Sequence, residues 1–200
     1  MRSRLVNLSF LAVMTVLGLN AEPVRAANDS DPLEFINRPI FTFNDWMDRL
    51  LFKPVAKGYD YVMPGFAKTG VSNFMSNLGE LNVILNDVLQ LKGTQAASDS
   101  GRFLLNSTVG IFGLIDVGTR IGLDKHDEDF GQTLGYWGVP TGPYLMLPFL
   151  GPSDLRDAPG KGVDLAVQNA YEPGSEQDKW SVWFVDKVDQ RASLLKTEKI

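Results

Sequence analysis

VSNFMSNLGELNVILNDVLQL, residues 71–91, is the clearest helix in this 200-residue chain. Val71, Phe74, Leu78, Leu81, Leu85 and Val88 recur at three- and four-residue steps and so line one face. The other side is polar yet hardly charged: Asn73, Asn77 and Glu80 form one ridge, and Asn82, Asn86 and Gln90 another. A solvated helix face usually carries Lys and Glu. An amide-rich face fits a partly dehydrated setting or a polar lumen, and fits equally an ordinary Asn-rich surface.

Upstream, Asp31-Pro32-Leu33-Glu34 supplies a cap, a proline suited to the first helical position and an acid for a capping box. Phe35, Ile36, Ile40, Phe43, Met47, Leu50 and Leu51 continue at helical spacing. Pro39 is expected to kink or delay this helix and Pro54 to end it, with a bend over residues 57–68. Downstream, Lys92-Gly93 precedes a third helical stretch, residues 95–111. The uncharged run from Phe103 to Ile115 is too short to cross a bilayer as a helix. Gly110, Gly113, Gly118 and Gly122 permit close approach or sharp turns but lack the spacing of a nucleotide-binding loop.

Phe130 to Ser153 contains no ionisable Asp, Glu, Lys, Arg or His. Its glycines and prolines forbid a long helix, while Tyr136, Trp137, Tyr144, Leu145, Leu147 and Phe149 make it strongly apolar. Such a segment is expected to be buried, within protein or at a lipid boundary. A charged turn over residues 154–162 and a short helix over 163–170 should follow. From Glu176 the pattern is helical again, with Trp180, Trp183, Phe184, Val188 and Leu195 on one side. That stripe fits a membrane interface or packing onto a core.

The N-terminus reads as an export signal. Arg2 and Arg4 precede an apolar stretch from Leu5 to Leu19, and Val24 and Ala26 satisfy the small-residue rule for cleavage between Ala26 and Ala27. Residues 1–26 are therefore expected to be a signal peptide and 27–200 the mature domain. The full chain has a net charge of −5, and loss of Arg2, Arg4, Arg25 and Glu22 makes the mature form −7. Lys and Arg are scattered singly, without the basic footprint of a nucleic-acid binder.

Little in the chain suggests a reaction. There is no cysteine, which removes thiolate metal sites and disulfides, and His126 is the single histidine. No G-x-S-x-G elbow accompanies a serine such as Ser153. The acids beside His126, namely Asp127, Glu128 and Asp129, read as a solvated turn rather than a metal site. We therefore expect no catalytic residues, no metal and no cofactor.

Four motifs together resemble the MlaA (VacJ) family of outer-membrane proteins in Gram-negative phospholipid trafficking. They are Asp31-Pro32-Leu33-Glu34-Phe35-Ile36-Asn37-Arg38 with Phe41-Thr42-Phe43-Asn44; Gly70-Val71-Ser72-Asn73-Phe74 with Asn77-Leu78; Arg102-Phe103-Leu104-Leu105-Asn106-Ser107-Thr108; and Phe130-Gly131-Gln132-Thr133-Leu134-Gly135 through Gly142-Pro143-Tyr144 and Leu147-Pro148 to Leu155-Arg156-Asp157. The resemblance implies an all-α fold: a single domain of amphipathic helices in a ring around a central channel, with a Gly/Pro-rich apolar loop or hairpin. It implies residence in the outer membrane on its periplasmic side after Sec-type export. It also implies passage of phospholipid to a soluble periplasmic carrier of the MlaC type and association with trimeric porins. A porin-associated structural protein that moves no lipid is the alternative.

On that footing Phe43, Asn44, Asn73, Asn77 and Glu80 are the candidates for the channel or its control. Tyr136, Trp137, Tyr144, Leu145, Leu147 and Phe149 are the candidates for the membrane-facing loop. Two departures from the family stand out. The chain lacks the lipobox cysteine, so acylation of a mature N-terminus is not expected, and it stops at Ile200 where family members continue into a further helical segment.

Overall fold

The computed structural model describes residues 31–171 and 174–199. The expected signal peptide and its cleavage at Ala26–Ala27 lie outside the described residues.

Helix α1 spans Glu34–Met47. Leu33, not Asp31, takes the N-cap position and no side chain closes a capping box; Glu34 instead pairs with Arg38 one turn on at 2.9 Å. Pro39 does not break the helix. It removes one bond to the Phe35 carbonyl, close enough to the exposed first turn for solvent to replace it.

Pro54 does not end the helical path either. A π-helical turn, Asp48–Phe52, leads into α2, Lys53–Val62, with Pro54 in its first turn. The wider turn relieves the ring clash that an α-turn would impose, and a first-turn residue needs no N–H donor. The bend shrinks to Met63–Pro64, where Met63 takes the extended conformation demanded of a residue before proline.

Helices α3 (Gly65–Leu89) and α4 (Gly93–Thr108) then pack along each other. A short α5, Val117–Arg120, is capped by Asp116, and α6, Phe130–Tyr136, by Asp129. Residues 123–129 between them have no regular structure.

The uncharged segment thus yields a short helix followed by a hairpin. Strands β1 (Tyr144–Leu147) and β2 (Gly151–Asp154) pair antiparallel, Tyr144 opposite Asp154 and Leu147 opposite Gly151. Helix α7 spans Asp157–Tyr171, starting inside the expected charged turn. The Asp154 carboxylate accepts from the Arg156 and Asp157 amides and opens this helix six residues early. Helix α8, Glu176–Leu194, begins with a capping box between Ser175 and Asp178.

The elements close on themselves. α3 packs on α7, α7 on β2, β1 on α1, the π-turn on α8, and α8 back on α3. Asp164 fastens α7 by accepting from Asn82 at 2.9 Å and from the Phe130 amide at 3.1 Å, while the Tyr171 hydroxyl donates to the Leu78 carbonyl. This is the all-α ring with a small hairpin that the motifs implied.

Its distribution of polarity is inverted. Among the described residues, eleven polar or charged side chains are buried against seven apolar ones. On α3 the amide ridge faces inward, with Asn77, Glu80, Asn86, Asp87 and Gln90 buried, while Leu85 and Val88 of the apolar stripe are exposed. The dehydrated-setting reading of that face is the correct one.

Candidate functional site

Two adjoining hollows of about 370 and 530 Å³ share Leu150, Leu165, Gln168 and Trp183 and form one recess inside the ring. One side is apolar. The hairpin turn contributes Pro148, Phe149 and Leu150, α7 contributes Leu165, and α8 contributes Trp180 and Trp183. Phe43 meets Phe149 edge-on at 5.2 Å, Phe149 meets Trp183 at 6.3 Å, and Trp183 meets Trp180 at 5.8 Å, so the aromatic wall is continuous.

The other side is polar, lined by Ser72 and Ser76 of α3, Lys125, and Asp186, Lys187, Asp189 and Gln190 of α8. Several of these charges are already engaged. Lys187 lies 3.4 Å from Asp186, and Asp189 accepts from the Tyr59 hydroxyl at 2.9 Å. Burial together with that carboxylate pushes the Tyr59 phenol up to about 12, so it remains a donor.

The hairpin is held open beside this recess by two amides. Asn37 accepts from the Met146 amide at 2.7 Å and donates to the Tyr144 carbonyl; Asn44, two helical turns on, accepts from the Phe149 amide at 2.9 Å and donates to the Leu147 carbonyl. Each side chain acts as the missing neighbour of an edge strand. Phe149 has φ +63, a left-handed conformation that a bulky residue keeps only where its surroundings enforce it.

The candidate residues therefore occupy two places. Phe43 and Asn44 sit at the hairpin. Asn73, Asn77 and Glu80 stand elsewhere, bracing α3 against its neighbours, and do not line the recess. Asn73 donates to the Leu114 carbonyl, Asn77 donates to the Ser107 hydroxyl, and Glu80 accepts from Arg102 Nε at 3.2 Å.

Arg102 is almost fully buried and also reaches Asp116, the Thr119 hydroxyl and the Leu123 carbonyl, donating at 2.7 Å to the last. Burial pushes Glu80 up to about 7 against the opposing pull of Arg102. Asp116, which accepts from Thr119 through both side chain and backbone, is held below the ordinary carboxylate value.

The membrane-facing candidates are mostly outside. Tyr136, Trp137, Tyr144 and Phe149 are each about half exposed, and Leu145 and Leu147 are half-buried. Trp137 still donates its indole N–H to the Leu89 carbonyl. Burial within protein, one of the two expectations for this segment, holds for part of it: Gly131, Thr133 and Met146 are buried, while the aromatic residues stay about half exposed.

The acidic turn is not simply solvated. His126 Nδ1 lies 2.8 Å from Asp99 Oδ2, and buried Glu128 accepts from Gln90 at 2.8 Å and pairs with Lys92. Ser153 lies on β2 opposite Leu145. Among the described residues no cluster of three His, Asp or Glu is arranged to hold a metal ion.

Asn37, Leu150, Leu165, Gln168 and Lys187 were not singled out as site residues from the sequence. Asn37 alone had a signal, its i, i+7 spacing from Asn44 on α1.

A family model described as MlaA lipoprotein matches residues 29–200. The chain is 35% identical over 203 residues to the intermembrane phospholipid transport system lipoprotein MlaA of Escherichia coli K12, covering 96% of this chain and 79% of that protein. An uncharacterised protein of Rickettsia prowazekii is 35% identical over 82% of this chain. The chain spans between 51% and 66% of the length of the rickettsial relatives. A solved structure from work on the "structural basis for maintenance of bacterial outer membrane lipid asymmetry" superposes with a TM-score of 0.71 at 35% identity, covering 85% of this chain and 87% of that one.

Proposed function

Because the chain belongs to the MlaA lipoprotein family, we propose that it moves phospholipid between the envelope membranes, withdrawing misplaced phospholipid from the outer leaflet of the outer membrane and so preserving lipid asymmetry. The observation that carries this reading is an apolar exterior combined with an interior recess that is apolar on one wall and polar on the other. A phospholipid stripped of its bilayer needs an apolar surface for its chains and hydrogen-bonding groups for its headgroup. The Phe149–Trp183–Trp180 wall supplies the first, and Ser72, Ser76, Gln168, Lys125 and Lys187 supply the second. The barrier to transfer falls without any covalent step.

Residence follows from the same inversion. Among the described residues no helix is long and apolar enough to cross a membrane. Yet Phe66, Phe112, Leu91 and Tyr61 are more than three-quarters exposed. The protein then lies in the periplasmic leaflet of the outer membrane, with Tyr136, Trp137, Tyr144, Leu145 and Leu147 against lipid, while Phe149 turns to the recess wall. Phe43 and Asn44 control the hairpin, and Asn73, Asn77 and Glu80 keep the α3 wall in place. A soluble carrier of the MlaC type receives the lipid on the periplasmic side, and trimeric porins hold the ring in the membrane.

The test is transfer of labelled phospholipid from vesicles to such a carrier by the purified full chain, paired with complementation of a strain lacking its own relative. Restored asymmetry and transfer that falls at least tenfold in Leu165→Trp, which fills the recess, are expected. Complementation that persists with no measurable transfer would favour the porin-associated structural role instead.

A further inference from the structure

The ionisable side chains that line the recess are Lys125, Lys179 and Lys187 against Glu176, Asp186 and Asp189, so its walls carry no net charge. Two pairs form within it. Lys179 lies 3.4 Å from Glu176, and Lys187 lies 3.4 Å from Asp186, whose carboxylate also accepts from Gln190 at 2.7 Å. The two charges that remain are opposite in sign and do not pair with each other. Asp189 Oδ1 accepts from the neutral Tyr59 hydroxyl at 2.9 Å; among the described residues no cation pairs with this carboxylate, and Oδ2 accepts no hydrogen bond. Lys125 has its ion pair, at 3.8 Å, with Asp127, an almost fully exposed residue that does not line the recess. Its other acidic neighbour, Glu80, is already held by Arg102 at 3.2 Å.

Lys125 is fixed at this wall. Arg102 donates to the Leu123 carbonyl at 2.7 Å, Gln132 donates to the Asp127 carbonyl at 3.1 Å, and His126 meets Asp99 at 2.8 Å, so the chain is tied on both sides of it. On α3, Ser72, Ser76 and Gly79 line the same hollow at four- and three-residue steps. Among the described residues neither serine hydroxyl makes a hydrogen bond, and a Cβ on Gly79 would meet nothing within 4 Å. The room at this interior helical glycine therefore belongs to the recess and not to a packing contact.

We propose that the recess selects a zwitterionic headgroup, a phosphate carrying a primary ammonium, with Lys125 as the phosphate ligand and Asp189 as the ammonium ligand. This rests on the transport reading above and names the class of lipid it takes. A phosphate drawn out of water needs a cation and hydrogen-bond donors, which Lys125, Ser72 and Ser76 supply. The ammonium that travels with it meets Asp189, the recess carboxylate left without a cation. Both charges of the headgroup and both unpaired charges of the wall are then matched, and the sum stays zero. A headgroup ending in hydroxyls brings a net negative charge instead; it satisfies Lys125 and leaves Asp189 uncompensated in a partly dehydrated space.

Competition between lipids tests this. Vesicles containing equal amounts of labelled phosphatidylethanolamine and phosphatidylglycerol are offered to the purified full chain, and both lipids are followed as they pass to a soluble carrier. Phosphatidylethanolamine should move faster by about fivefold or more, the strength of one well-placed ion pair. Asp189→Asn, which keeps an acceptor for Tyr59, should bring the ratio close to one by slowing phosphatidylethanolamine alone. Lys125→Gln should slow both lipids, since both carry the phosphate. Tyr59→Phe removes the same hydrogen bond from its other end but leaves the carboxylate, so it should keep the parent's ratio. Loss of the ratio in Tyr59→Phe as well would make Asp189 a structural tie and overturn the proposal.

Equal transfer of the two lipids by the parent, or faster transfer of phosphatidylglycerol, overturns the headgroup assignment and leaves transport standing. Transfer of neither lipid overturns the transport reading instead. The lipids retained on the detergent-extracted chain after the same exposure, compared by mass spectrometry, then still decide the assignment: enrichment of phosphatidylethanolamine supports it, and retention in the vesicle ratio overturns it.

Discussion

Arg102 shows how much a single side chain is asked to do in an inverted core. It is buried with Glu80 at 3.2 Å and Asp116 at 3.3 Å, and its guanidinium also caps the Leu123 carbonyl. Removing it strands Glu80 without a counter-charge. Arg102→Met should therefore cost about 3–5 kcal/mol in detergent unfolding, and a Glu80→Met, Arg102→Met pair should recover much of that loss. Glu80 also imposes a pH dependence. Its folded value, raised from 4.5 to about 7, means that the folded state keeps a proton the unfolded state gives up. Its contribution is fully present below about pH 4.5 and is lost as the pH climbs toward 7, so melting curves of Glu80→Gln should fall less steeply over that interval. The sequence placed Glu80 and Asn77 on one ridge, but a ridge names no partner: Arg102 lies on another helix, and Gly113, whose φ of +89 lets the chain pass over the Asn77 side chain, lies 36 positions away.

Among the elements, the hairpin depends most on what surrounds it. Two four-residue strands form no stable sheet alone, and their outer groups are met by Asn37 and Asn44. In Asn37→Ala, hydrogen exchange at the Met146 amide should accelerate about tenfold or more, because an unpaired buried partner costs about 1–3 kcal/mol, whereas in Asn44→Ala the exposed Phe149 amide should accelerate less. The α6–α7 crossing is a second weak point. A Cβ on Gly160 would lie 2.6 Å from the Gly131 nitrogen, a backbone atom that cannot swing away. Gly160→Ala should lower stability by about 1–3 kcal/mol, visible as a lower midpoint of thermal unfolding. The helices themselves were largely readable from periodicity. Their ends were not, because Pro39 and Pro54 act as stops only where no π-turn or solvent-exposed first turn absorbs them.

For the molecule as a whole, the decisive property is that polar groups turn inward and large apolar ones outward. Phe66 and Phe112 are 82% and 77% exposed, so replacing either with Asp should leave the unfolding midpoint almost unchanged. Each replacement should nevertheless weaken binding to phospholipid vesicles in a flotation assay by about tenfold or more, the worth of one buried Phe. A large loss of stability instead would mean that these rings pack against protein. Helical spacing, the uncharged Gly/Pro segment and the ordered motifs were enough to establish helices, a segment that cannot form a long one, and membership of the MlaA lipoprotein family, because each is written in neighbouring residues. Which face of α3 turns inward was not written there, since an amphipathic pattern is symmetric between water outside and lipid outside. The recess was not written there either: its walls come from residues 72–79, 125, 148–150, 165–169 and 176–190, brought together when α3, α7, α8 and the hairpin close the circuit.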